Sequence, residues 1–217
     1  YQKTTAGNLS FGISQSAASE NNWLAFDDFH LYYGKTKEVD MDTLQYLTKT
    51  YANVKSSRIL KAGVLEAICL PYTPDMSSFA AVYELASIDK QQVVLFPARE
   101  VKAGKVYFVK VNSDTPLEAK DVEMTSVIPD SIPAYWNGAF QKGEYAKGIV
   151  KKAHILNAEG TALVYVEASE VPAATPRFYL PLSMDAGDIT IPVTIHEDWM
   201  NMNFKPHIEN FRVEEFV

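Results

Sequence analysis

The sequence predicts an all-β protein with little helix, folded as an antiparallel β-sandwich. Aromatic residues make up 12% of the 217 residues, and Val, Ile and Thr recur in short runs that suit half-buried strands. Alternating apolar and polar segments follow one another every 8–12 residues or so, bounded by turn-forming residues. No segment shows the apolar period of a capped amphipathic helix. These three observations define the predicted fold class.

The first 36 residues predict one hairpin. Residues 8–14 alternate apolar and polar side chains, and a second strand runs from Trp23 to Tyr33 after a small polar loop. A mixed-charge stretch, Lys35–Asp40, follows and is typical of a link between domains. We therefore expect a terminal hairpin over residues 1–36 and a separate domain after it.

The main sandwich domain is expected over residues 37–196, where strand follows strand without a helical spacer. Asn157–Gly160 is the clearest hairpin turn, because Gly accepts the positive φ that such a connection needs. Residues 197–217 mix aromatic and charged side chains without a period and predict an irregular C-terminal tail. The strands predicted in the main domain are Thr50–Leu60, Val64–Leu70, Ala80–Leu85, Gln91–Phe96, Lys105–Val111, Ile149–Leu156, Ala162–Ala168, Phe178–Leu182 and Ile189–Ile195.

Composition narrows the classes of partner. The net charge of −7 comes from 27 acidic and 20 basic residues spread along the chain, which argues against nucleic acid. No apolar run reaches the roughly 18 residues of a membrane-spanning helix. Cys69 is the single cysteine, so an internal disulfide is excluded and a buried apolar role is expected. The chain starts at Tyr1 without a signal-peptide pattern, so we expect any export signal to lie outside it.

Two stretches resemble known surface proteins. Residues 22–33, NWLAFDDFHLYY, resemble the closing strand of jelly-roll, carbohydrate-binding-module-like domains in surface proteins of gut Bacteroidetes. Residues 63–72, GVLEAICLPY, resemble a strand of the second β domain in such proteins, and residues 81–85, 103–110 and 179–182 resemble its later signatures. Leu65 stands where that pattern usually has Trp, and Val106 where it usually has Pro, which implies a diverged member.

The resemblance implies a jelly-roll-like fold and an extracellular or cell-surface location, with a lipid anchor on an N-terminal segment outside this sequence. A jelly roll needs about eight strands, yet only its last two precede Gly34. Either the front of that domain is missing, or the pair docks on the second domain as an added hairpin. An isolated hairpin is barely stable in water, so it must pack on something.

Asp27 and Asp28 are the candidate metal ligands. In jelly-roll sugar-binding modules the Asp of such a final strand ligates a structural Ca²⁺, and carboxylate oxygen suits that ion. Adjacent residues on a strand point to opposite faces, so only one of the two turns toward the sheet. The alternative is an ordinary polar strand end. No other cofactor is expected.

The sequence holds no catalytic motif, and we expect a protein that is not an enzyme. The four histidines, His30, His154, His196 and His207, are dispersed without the spacing of a zinc site. No G-x-S-x-G elbow or phosphate-binding glycine loop is present, and no carboxylate pair stands out for glycoside hydrolysis.

Tyr135, Trp136 and Asn137 are the candidate ligand-binding residues. A sugar ring stacks on exposed flat side chains beside polar groups, and this cluster sits between a proline and a glycine-containing stretch. The alternative is a Trp that folds back to close the end of the sandwich. We therefore expect an extracellular accessory protein that binds glycan or another surface protein, or else a structural spacer or adhesin-like component without a small ligand.

Overall fold

The computed structural model describes residues 37–88, 92–129, 131–133, 140–179 and 189–197. All of them lie within one compact unit of the chain, Thr36–Val217. They form β-strands and two one-turn 3₁₀ helices, Met41–Thr43 and Met76–Ser78, and this described part contains no α-helix. The all-β prediction is confirmed. The division into 1–36, 37–196 and 197–217 stays a prediction, since nearly all of both end segments falls outside these ranges.

The described strands belong to two sheets. The smaller has the order β1-β2-β7, and the larger has ten strands in the order β3-β6-β4-β5-β13-β11-β10-β12-β9-β8. The strands are β1 (Lys37–Asp40), β2 (Thr50–Leu60), β3 (Glu66–Cys69), β4 (Ala81–Ile88), β5 (Val93–Pro97), β6 (Val106–Lys110), β7 (Thr115–Met124), β8 (Ser131–Pro133), β9 (Phe140–Lys142), β10 (Gly148–Leu156), β11 (Ala162–Val171), β12 (Arg177–Tyr179) and β13 (Ile191–Ile195).

The sheets are mixed, which corrects the expectation of a purely antiparallel sandwich. β13 pairs with β5 in parallel, with Val193 opposite Val93, and β1 pairs with β2 in parallel. Sequence patterning indicates where strands lie but not which strands pair, and the β5–β13 pair joins strands that are far apart in the chain. The strand order of a jelly roll is not shown by the described residues.

Two cores lie on opposite faces of β3 and β6. Successive side chains of these strands point alternately toward the small sheet and toward the far half of the large sheet. Both strands are therefore buried on both faces. Their short continuous apolar runs are typical of such strands. The residues facing the small sheet are Ile68, Tyr107 and Val109, and those facing the other core are Ala67, Cys69, Val106 and Phe108.

Cys69 is fully buried, as predicted. Its apolar neighbours also predict a central strand, and this prediction is wrong, because β3 forms one edge of the large sheet. The sheet curls so that its far half meets this edge at two points. The Cys69 N–H donates to the carbonyl of Ala174 at 3.0 Å, and Gly160 of the β10–β11 turn lies against Leu65. The result is a curled half-barrel with a gap between the two contacts.

Candidate functional site

The residues predicted from sequence as a site fall outside the described ranges. This holds for the candidate ligand-binding residues Tyr135, Trp136 and Asn137 and for the candidate calcium ligands Asp27 and Asp28. Both assignments stay predictions. Within the described ranges, no group of three or more His, Cys, Asp or Glu residues is placed to hold a metal ion.

A bulge in β2 begins the site that the structure does describe. Lys55 lies opposite Glu118 and Ile59 opposite Pro116, so β2 carries two extra residues between these pairs. Asp42 holds the bulge by accepting the Ser56 hydroxyl at 2.6 Å and a main-chain N–H at 3.1 Å. Burial raises the pKa of Asp42, but these hydrogen bonds outweigh it and lower the pKa overall.

The bulge directs Arg58 toward the large sheet, as bulges commonly redirect a side chain. The guanidinium donates to Glu66 Oε2 at 2.8 Å, to Thr175 Oγ1 at 3.1 Å and to the carbonyls of residues 173–174 at 3.3 and 3.0 Å. The Arg58 side chain is only 8% exposed and that of Glu66 17%. Burial lowers the pKa of Arg58, yet an arginine stays charged. The ion pair therefore joins β2, β3 and the β11–β12 turn.

An open cleft of about 330 Å³ lies beside this ion pair. Its floor and one wall come from β2 and β3, and the opposite wall comes from the ends of β10 and β11, including Ile155, Leu156 and Val171. The described lining residues are mostly apolar and include no aromatic side chain. They therefore offer no flat platform on which a sugar ring could stack.

One residue at the edge of β3, Ala67, borders the cleft. In an antiparallel pair, successive residues direct their main-chain groups alternately toward the partner strand and away from it. The Cys69 N–H points away from β6, because it donates to Ala174, and so the N–H and C=O of Ala67 point the same way. Ala67 lines the cleft, and no described residue pairs with it at this edge. Ala67 itself is only 5% exposed, so little of this edge is accessible to a ligand.

His154 is a further buried polar residue with chemistry that could serve a functional site. Its Nε2 lies 3.0 Å from the Ile189 carbonyl and donates a hydrogen bond to it, and its buried Nδ1 has no hydrogen-bond partner among the described residues. Burial lowers the pKa of His154, and the residue is 1% exposed. A substrate cannot reach a group so deeply buried.

Sequence reasoning missed both the Arg58–Glu66 pair and the β3 edge. Arg58 stands in a polar stretch of β2 whose pattern does not reveal a bulge, and edge position depends on distant strand pairing.

No helix in the described part of the chain is long and apolar enough to cross a membrane. No protein-family model, curated protein or solved structure matches the chain.

Proposed function

We propose that this is a non-catalytic accessory protein of the extracellular space or cell surface that binds glycan or another surface partner. The observation that supports it best is the cleft beside β3, whose volume of about 330 Å³ falls within the range of ligand sites. Its two acidic side chains are Glu66, which is paired with Arg58, and Glu170. Such a lining suits binding better than acid–base chemistry, which needs free and converging groups.

The glycan part of the proposal depends on Tyr135, Trp136 and Asn137, since none of the described residues that line the cleft is aromatic. A glycan array probed with the purified protein should give a binding signal that Trp136→Ala abolishes while the fold is retained. Tyr46→Ala is the matched control, because Tyr46 is an aromatic residue that is 80% exposed and does not belong to the predicted cluster. A Trp136→Ala protein destabilised by about 3–5 kcal/mol, with no glycan bound by the parent, would contradict the glycan assignment.

The resemblance extends the proposal to residues 1–36 as the end of a jelly-roll domain, with Asp27 and Asp28 as ligands of a structural Ca²⁺ and a lipid anchor farther upstream. A bound ion stabilises the folded state, so millimolar Ca²⁺ should raise the melting temperature above that in EDTA. The Asp27→Asn, Asp28→Asn double variant should lose this rise, and Asp114→Asn should keep it, since Asp114 is an exposed partner of Lys61. A parent protein that melts at the same temperature in EDTA and in millimolar Ca²⁺ would contradict the assignment of a calcium site.

A structural spacer is the second candidate, and the Arg58 contacts favour it. One buried guanidinium joins two sheets and a turn, which suits a domain that must resist deformation. Single-molecule stretching distinguishes the two functions. A spacer should unfold at a high force that Arg58→Met lowers, and it should bind neither glycans nor peptides.

A further inference from the structure

We propose that the outer face of β9 and β12 binds an acidic glycan, one that carries carboxylate or sulfate groups. This inference rests on the proposed function, because it names the class of glycan that the binding module would take and a surface that would contact it. The surface consists of Phe140, Lys142, Arg177 and Tyr179, and we call it the β9–β12 face.

Strand register places these four side chains on one face of the large sheet. Phe140 lies directly opposite Tyr179, and Lys142 lies opposite Arg177. Direct partners in an antiparallel pair share a face, and so do residues two apart on one strand. On each strand the residue between them is buried, and Phe178 packs into the core inside the half-barrel. The β9–β12 face therefore points away from that core.

Phe140 and Tyr179 form an aromatic pair on this face. The Cβ atoms of direct partners lie about 4.5–5.5 Å apart, so the two side chains are neighbours. Phe140 is 42% exposed, and Tyr179 is half-buried. A sugar ring stacks its C–H groups on exposed flat side chains, so this pair supplies a platform of the kind that the cleft lining lacks. Phe140 also follows the predicted sugar-contacting residues 135–137 closely in the chain.

The charge beside this platform is positive. Lys142 Nζ lies 5.9 Å from the centre of the Tyr179 ring, and the Lys142 side chain is 43% exposed. The carboxylate of Glu144 lies 3.4 Å from Lys142 Nζ and also 3.4 Å from Arg177 Nη1. Both distances exceed the roughly 2.7–2.9 Å of a charge-assisted hydrogen bond, so one carboxylate is shared loosely by two cations. The strands β8, β9 and β12 themselves contain no acidic residue.

Arg177 and Lys151 add to this positive charge. The Arg177 side chain is only 11% exposed, and its Nε is buried without a hydrogen-bond partner among the described residues. Arg177 therefore attracts an anion from below the surface rather than through direct contact. Lys151 is exposed on β10 and shares a face with Ala153, the partner of Tyr179, because both lie opposite residues on one face of β11. These cations outnumber the shared carboxylate, although the whole chain carries a net charge of −7.

An acidic sugar matches both features at once. Its ring offers a C–H face to the aromatic pair, and its carboxylate or sulfate oxygens accept charge-assisted hydrogen bonds from Lys142. A single-stranded nucleic acid also combines flat rings with anions, but its affinity depends on a long groove of cations that follows many phosphates. The short cationic surface and the acidic chain favour a glycan with isolated anionic groups.

The first experiment compares charged and neutral forms of the same sugar by isothermal titration calorimetry. Hexagalacturonate should bind about tenfold more tightly than its methyl-esterified form, which keeps the rings and loses the charges. A sulfated galactan hexasaccharide and its desulfated form show whether the face takes sulfate. Raising NaCl from about 50 mM to about 500 mM should weaken binding of the charged forms. Equal affinity for charged and neutral forms in both pairs, or equally tight binding of an oligothymidylate of the same charge, would overturn the inference.

Variants of the protein supply the second experiment. Lys142→Gln should weaken the bound acidic hexasaccharide about tenfold, whereas Lys49→Gln, which removes an exposed lysine paired with Glu123, should not. Phe140→Ala should also weaken it, because the stacking surface is lost, and Tyr51→Ala is the matched control, since Tyr51 is 40% exposed on β2. If Phe140→Ala does not fold, Phe140→Leu decides, because Leu is apolar but not flat. Parent-like affinity in Lys142→Gln would overturn the inference.

The outcomes separate this inference from the proposed function. Acidic-glycan binding that Lys142→Gln weakens and Trp136→Ala keeps supports the β9–β12 face and contradicts the assignment of Trp136. Glycan binding that Trp136→Ala abolishes, with no preference for acidic forms, overturns this inference and leaves the proposed function standing. A protein that binds none of the four hexasaccharides, yet gives a signal on a neutral-glycan array, overturns this inference alone.

Discussion

Replacing Arg58 with Met tests the buried ion pair. Removing one partner of a fully buried pair costs about 3–5 kcal/mol, because the other charge is left uncompensated. Here the penalty is reduced, since Glu66 is 17% exposed and still accepts the Lys61 N–H at 2.6 Å. The carbonyl of Ala174 likewise keeps the Cys69 N–H. We therefore expect the free energy of unfolding to fall by about 2–3 kcal/mol, with Met retaining the packing of the aliphatic stem.

Urea denaturation followed by tryptophan fluorescence measures this loss. A double-mutant cycle with Glu66→Gln should give a coupling of about 1 kcal/mol or more, because the second change removes the charge that the first leaves unpaired. Lys61→Met is the matched control, since the Lys61–Asp114 pair is exposed and its loss should leave the denaturation midpoint unchanged within error. An Arg58→Met protein as stable as the parent, or strictly additive variants, would refute the role assigned to the pair.

Three further predictions follow from buried contacts. Gly160→Ala should lower the free energy of unfolding by about 3 kcal/mol or more, because a Cβ there would lie 2.3 Å from the Leu65 carbonyl oxygen at a φ of +70°. Gly63→Ala is the control and should cost about 1 kcal/mol, since Gly63 has a φ of +72° but nothing within 4 Å of the added Cβ. Urea denaturation measures both losses, and equal losses would contradict the steric argument. Burial lowers the pKa of His154 below 6.5 in the folded protein. Its contribution to the free energy of unfolding should therefore be complete above pH 6.5 and decline as the pH falls below it, because the unfolded chain takes up the proton first. His154→Gln should make this decline shallower, and an equally steep decline in the variant would show that other groups cause it. Cys69, fully buried, should react with a thiol reagent only as fast as the protein unfolds, and rapid labelling of the native protein would show the cysteine to be accessible.

Much of the strand pattern could be predicted, because it depends on local alternation. β2 has its predicted bounds, and the turn at Asn157–Gly160 forms as expected, with Gly160 at positive φ. β1, β7 and the three-residue strands β8 and β9 were not predicted. β1 buries only Val39, and most residues of β7 are charged or half-exposed, so neither strand shows a clear apolar face.

The candidate cleft could not be predicted, because it depends on contacts between distant segments. The Arg58 guanidinium donates hydrogen bonds to residues 173–175, which lie more than a hundred positions later in the sequence. The β2 bulge directs the side chain toward them. The cleft itself likewise arises because the large sheet closes on β3 at two points, Leu65 and Cys69, and leaves a gap between them. No local pattern in residues 64–70 distinguishes an edge strand from a central one when both faces are buried.

β13 joins the two halves of the large sheet, and this position constrains how the chain folds. It pairs with β5 on one side and β11 on the other, and its partner Val93 lies about a hundred residues earlier. During synthesis one edge of β5 therefore stays unpaired until β13 has been made, and pairing between segments so far apart in sequence is intrinsically slow. A ribosome-bound or truncated chain that ends before Ile191 would expose two unsatisfied strand edges, which are templates for association with other chains. Expression trials of this protein should accordingly keep β13 intact and favour slow translation at low temperature.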